Sequence, residues 1–228
     1  MKRRVRFLAG FTLYFGVIWT LWSTPLLYPF QVFVVLLHEI SHGIAAVATG
    51  GSIQSIGLTP GQGGYCACPG GNAFLTLSAG YLGSLAWGVG MLEVVRRGGK
   101  HIPLVVGILG GMSVAVTLLT VRTFYGVFFG VLFGVGLMVA ARLLGTGGNR
   151  ILLTGLGITS ALYALLDIKS DVLDRPHLRS DAAMLAELTG VPTVAWGVLW
   201  IGVGLAVCVL LLRREWRAAG GRGASSSR

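Results

Sequence analysis

Apolar residues recur along this chain in long unbroken runs, near 7–27, 31–49, 72–95, 102–120, 123–142, 150–167 and 191–212. A helix rises about 1.5 Å per residue, so roughly 20 apolar residues cross a hydrocarbon layer of about 30 Å. The pattern predicts an all-α polytopic membrane protein with six or seven transmembrane helices. Polar residues punctuate the runs. Glu93, Arg96 and Arg97 close the third, Arg122 follows the fourth and Arg142 ends the fifth. Pro103 and Pro192 stand at helix starts, where a missing N–H does little harm. Pro25 and Pro29 break the chain between the first two runs.

Two connections carry more than a turn. Residues 50–71, GGSIQSIGLTPGQGGYCACPGG, hold no charge and show a short alternation at Ile53, Ile56 and Leu58. They predict a hairpin or a re-entrant loop after the second run, because irregular backbone at membrane depth must lie against protein or a wet cavity. Residues 168–190 hold Asp171, Asp174, Asp181 and Glu187, half of the eight acidic residues. Residues 1–212 read as a single integral-membrane domain with its core at 30–200, and 213–228 as a basic, flexible tail. The first run is too long for a signal h-region, and no small-residue cleavage site follows it, so it is expected to remain as a helix.

Composition sharpens the class. The chain is 54% hydrophobic and 11% charged, against about 25% charged in soluble domains. Its net charge of +10 sits at helix ends and tails, where cations meet headgroups and anionic lipid. The expected surface partner is the bilayer. No nucleic-acid-binding motif is present, and no nucleic acid is expected. Lys and Arg are nearly balanced between the two sides, so charge does not choose an orientation. Cys208 lies in the last apolar run and reads as a small hydrophobe. Cys66 and Cys68 form a C-x-C too tight for a usual zinc site, and a bridge between residues so close is uncommon.

Inside the second run stands VVLLHEISHGIAA, residues 34–46. Ionisable groups among Val, Leu and Ile are costly and mark function. His38-Glu39-Ile40-Ser41-His42 is H-E-x-x-H. Positions i and i+4 share a helix face, so both imidazoles reach one metal. Zinc accepts imidazole nitrogen, and a catalytic site takes three protein ligands. Glu39 stands where this motif places its general base. The expected cofactor is Zn2+, whose charge offsets the burial. Asp167, which ends the apolar stretch LLTGLGITSALYALLD, is the first candidate for third ligand, and Asp171, four residues on, the second. His101 sits in a basic loop and reads as interfacial. His177 follows Pro176 in the acidic loop and reads as solvated.

HEISHG on an apolar helix resembles the zinc motif of the site-2 protease family of intramembrane metalloproteases, in its compact, PDZ-lacking members. That family carries a ligand aspartate in an L-D-G sequence on a later helix; Leu166-Asp167 matches its first two letters and Ile168 replaces the glycine. Its A-G-P…N segment is similar to Ser78-Ala79-Gly80-Tyr81 with Ser84 downstream, Tyr81 departing from the proline. D-I-K-S-D followed by S-D-A recurs in the compact members and is found at 167–171 and 180–182. The resemblance covers roughly 30–90 and 155–200. It implies hydrolysis of peptide bonds in or near transmembrane segments of membrane-protein substrates, in a multi-pass protein of a prokaryotic plasma membrane. The 50–71 loop can supply an edge to which such a segment adds as a strand; Ser41, Asn72, Thr76 and Ser78 are candidate cavity-lining groups, with ordinary helix-packing hydroxyls the commoner reading for most of them. Two other functions fit less well. A non-catalytic relative that binds membrane partners has no need of Glu39, and a metal or ion transporter usually shows internal repeats and paired broken helices, which this chain lacks.

Overall fold

A computed structural model describes residues 5, 12–13, 16–17, 19–22, 24–169, 172 and 179–221. The chain is an all-α polytopic membrane protein. Six helices among the described residues are long and apolar enough to cross a membrane. They coincide with the last six apolar runs; the run at 7–27 lies mostly outside the described residues.

Helix α1, Tyr28–Ala48, is the axis of the fold. Pro29 sits in its first turn, and every residue from Gln31 to Gly43 is buried. Phe33, Leu36 and Leu37 pack in one core with Leu153 and Leu156 of α5 (Gly145–Lys169) and with Ile56 and Leu58 of the hairpin. Thr49 closes α1, and its Oγ1 accepts from the Asn72 N–H at 2.9 Å. Asn72 then caps α2, Ala73–Arg97, its Oδ1 accepting from the Leu75 N–H at 3.0 Å. A side-chain acceptor at this position satisfies an otherwise orphaned helix donor. The end of α1 is thereby tied to the start of α2, and the two helices run antiparallel.

Between them lies the hairpin. Strand β1, Ser55–Leu58, pairs antiparallel with β2, Gly64–Ala67, in the register Ser55↔Ala67 to Leu58↔Gly64. Its base is next to Thr49, while its tip reaches the first turn of α1, where Tyr28 Oη donates to Pro60 O at 2.8 Å. The hairpin therefore folds back along α1, as the uncharged loop predicts. The outer edge of β1 is covered: Ile56 bridges Val121, and the Arg122 N–H donates to Ile56 O at 3.0 Å. Strand β2 pairs with no strand other than β1 among the described residues. Cys66 and Cys68 are bridged, contrary to the expectation from their spacing. The backbone turns as β2 ends at Ala67, which brings their Cα atoms to 5.4 Å, inside the usual range for a disulfide.

Helices α3, Ile102–Thr120, and α4, Phe124–Leu143, form an antiparallel pair beside this core. Their backbones touch at glycines: a Cβ on Gly110 would lie 2.5 Å from Gly134 O. Small residues permit this approach in membrane helices. Leu104, Phe128 and Leu143 point outward, as a lipid-facing surface requires. Helix α6, Asp181–Thr189, is capped by Ser180 and ends at Gly190, whose φ of 74° is the left-handed stop that glycine favours. Its Ala182 and Leu185 are fully buried against Tyr81, Ile168 and Trp200. The last helix, α7, Thr193–Gly221, continues through Arg213 and Arg214. The helix thus runs into the expected tail as far as Gly221, and Arg214 on it reaches Glu93 of α2 at 2.9 Å.

Candidate metal centre

Four elements meet at the midpoint of α1. His38 and His42 stand one turn apart, ring centroids 4.8 Å from each other. Opposite them is Asp181, the first residue of α6. Its Oδ2 lies 3.0 Å from His38 Nε2 and 3.2 Å from His42 Nε2. The three donor atoms fall within 4.8 Å of one another. Two imidazole nitrogens and one carboxylate oxygen converging in this way could hold a metal ion, and zinc accepts donors of both kinds. Burial pushes the Asp181 carboxyl up, but the His42 and His38 imidazoles outweigh it and hold the group below the usual carboxylate range.

The far sides of both rings are also engaged. His42 Nδ1 donates to Thr76 O at 2.7 Å, and His38 Nδ1 lies 3.4 Å from Ser84 Oγ. Both rings turn Nε2 toward Asp181; an outer partner of this kind orients a ligating histidine. Ser84 is fully buried, and Ser160 Oγ donates to its backbone carbonyl at 2.7 Å. The Tyr81 ring stands edge-on to His38, centroids 5.2 Å apart, and packs on Trp200 at 4.9 Å. At Gly80 of α2 the imidazoles leave no room for a side chain. A Cβ on Gly80 would come within 2.6 Å of Cε1 of both His38 and His42.

Glu39 is buried beside the donors. Gly64 of β2 lies against it: a Cβ there would fall on Glu39 Oε1 and 2.9 Å from its Cγ. A cavity of about 880 Å³ opens over His38, Glu39, His42 and Asp181, with β2 along one wall.

Among the described residues, the carboxylate that converges with His38 and His42 is Asp181. Asp167 lines the same cavity from the last turn of α5 but is not in the convergent set. Asp171, His177 and Asp174 lie outside the described residues. His101 is exposed in a short 3-10 turn, Gly99–His101, and is not in the cavity lining. Ser41 does not face the cavity either: it donates to Leu37 O at 2.7 Å and accepts from Trp87 Nε1 at 3.2 Å. Thr76 does line it. Sequence reasoning passed over Asp181 because it searched the end of an apolar helix. The available signal was Ser180-Asp181-Ala182, a helix-capping serine followed by an acid and a buried small residue.

Helical bundles that gather metal donors within the membrane are the build of membrane metallopeptidases. The chain belongs to one such group, the Peptidase M50B-like family, whose model matches residues 11–211. Compared with curated proteins and with solved structures, it has no match.

Proposed function

We propose that this chain is a zinc endopeptidase that hydrolyses peptide bonds in or near the transmembrane segments of membrane-protein substrates. The observation that carries the reading is the meeting of His38, His42 and Asp181 beside Glu39 at one cavity. Zinc, when bound there, supplies a Lewis acid that polarises the scissile carbonyl and acidifies a water. The residues of the chain do the rest. Thr76 O and Ser84 Oγ hold the imidazoles with Nε2 inward. The Glu39 carboxylate takes the proton of the attacking water and returns it to the departing amine nitrogen. Strand β2 pairs with no strand but β1 among the described residues, so a locally unwound substrate segment can pair at its other edge and present its backbone next to Glu39. Unwinding is needed because the peptide bonds of a membrane helix are already hydrogen-bonded within it. The partners are then a single-span or multi-span protein substrate and the lipid around it, and the location is the plasma membrane of a prokaryote.

The test is Glu39→Gln in purified, zinc-loaded protein. The reading expects unchanged zinc content and loss of cleavage by at least about 100-fold, the usual worth of a general base. Equal turnover by the variant would refute it. Absence of turnover in the wild-type chain with zinc bound would favour the non-catalytic alternative.

A further inference from the structure

The hairpin tip is tied to the bundle by polar groups that the chemistry above does not use. Gln31 lies two turns before Glu39 on α1 and is 2% exposed. A buried amide in an apolar helix is unfavourable unless both ends are paired, and here both are. Its Nε2 donates to Trp22 O at 2.9 Å, and its Oε1 accepts from Gln62 Nε2 at 3.1 Å. Gln62, at the tip, has φ of 62° and is the one non-glycine residue with positive φ among the described residues. That conformation costs an L-residue about 1–2 kcal/mol, so a glycine would be the ordinary choice there. The side chain is what the position retains. Tyr163 of α5 donates to Gln62 O at 3.2 Å. Tyr28 donates to Pro60 O, so the proton between Tyr28 and Tyr125, 2.6 Å apart, comes from Tyr125.

We propose that Gln31 and Gln62 form a clamp that holds the β2 edge in register over Glu39 and so selects which bond of an added substrate strand is cut. Gln31 is a positioning residue: it touches neither the metal donors nor Glu39, and it acts through the hairpin. The proposal rests on the endopeptidase reading for its consequence in cleavage, but the clamp itself is measurable without turnover.

The experiment uses the full chain in lipid nanodiscs with Gln31→Leu and, separately, Gln62→Asn. Asparagine tolerates positive φ and is too short to reach Gln31, so the second variant keeps the turn while removing the bond. Three quantities are read: zinc content, amide hydrogen exchange over 55–67, and cleavage of a synthetic leucine-rich single-span peptide with a central Gly-Ser break. Both variants are expected to bind one equivalent of zinc like the wild type and to lose about tenfold in exchange protection of the hairpin, the order expected from a lost buried hydrogen bond with a stranded partner. KM should rise by a similar factor with kcat little changed, and cleavage should spread to neighbouring bonds. Unchanged exchange in both variants overturns the clamp. Faster exchange with an unchanged cut site and KM overturns its role in register. If the wild type cuts nothing, the endopeptidase reading fails on its own, and the exchange data still decide the clamp.

Discussion

Gly80→Ala separates metal geometry from stability more cleanly than removal of a ligand. The substitution changes no donor atom. Within a helix interior, alanine is favoured over glycine by about 1 kcal/mol, so propensity alone predicts a more stable α2. The site predicts the opposite for metal. The new methyl would meet His38 Nε2 most closely and stand 2.6 Å from Cε1 of both His38 and His42, about 0.9 Å inside an ordinary carbon–carbon contact of about 3.5 Å. One or both rings must move. Zinc–nitrogen bonds tolerate only about 0.2 Å, so a displaced ring is in effect a lost ligand. If a four-ligand zinc site is worth roughly 10–16 kcal/mol, one ligand is worth about 3 kcal/mol, or about 100-fold in Kd. The assay is zinc affinity by competition with a chelator in detergent, alongside thermal unfolding of the metal-free protein. We expect zinc binding weakened about 100-fold and a metal-free midpoint within a few degrees of wild type. Zinc affinity within threefold of wild type would mean that the imidazoles do not lie against α2 as described.

Other substitutions test the surroundings. Ser84→Ala should weaken zinc about 10–100-fold through loss of the His38 Nδ1 partner, seen as an altered ligand-field spectrum of the cobalt-substituted protein; an unchanged spectrum and affinity would deny Ser84 that part. Gly64→Ala should leave zinc content intact and lower kcat by at least about tenfold, because its methyl displaces the Glu39 carboxylate from its place; wild-type kcat in that variant would show that β2 is free to yield.

The membrane class and six of its helices were readable from apolar run length, because lipid forces a length and a composition on any spanning helix. His38, Glu39 and His42 stood out in the sequence for a related reason: ionisable groups are costly in the middle of Val, Leu and Ile. The hairpin was visible in the alternation of Ile53, Ile56 and Leu58 among turn residues. The place of Asp181 beside the histidines was not visible, because it depends on α6 docking through Ala182 and Leu185 onto Tyr81 and Trp200, a contact between distant segments. Tyr81 illustrates the same limit. As a departure from the family's proline it gave no clue, yet its ring is the surface that both His38 and α7 rest on. The helical course of α7 past residue 212 was hidden behind the basic, polar composition of that stretch, and the meeting of Arg214 with Glu93 joins segments far apart in the chain. The clamp at Gln31 was masked by the run that contains it, where one amide among aliphatic residues does not alter the pattern.

The claim on which the rest stands is that Asp181 completes a zinc site begun by His38 and His42. Zinc content per chain, measured by mass spectrometry on wild-type, Asp181→Ala and Asp167→Ala proteins purified side by side, tests it most directly. One zinc in the wild type and in Asp167→Ala, with none retained in Asp181→Ala, is the predicted result; zinc retained in Asp181→Ala and lost in Asp167→Ala would contradict it.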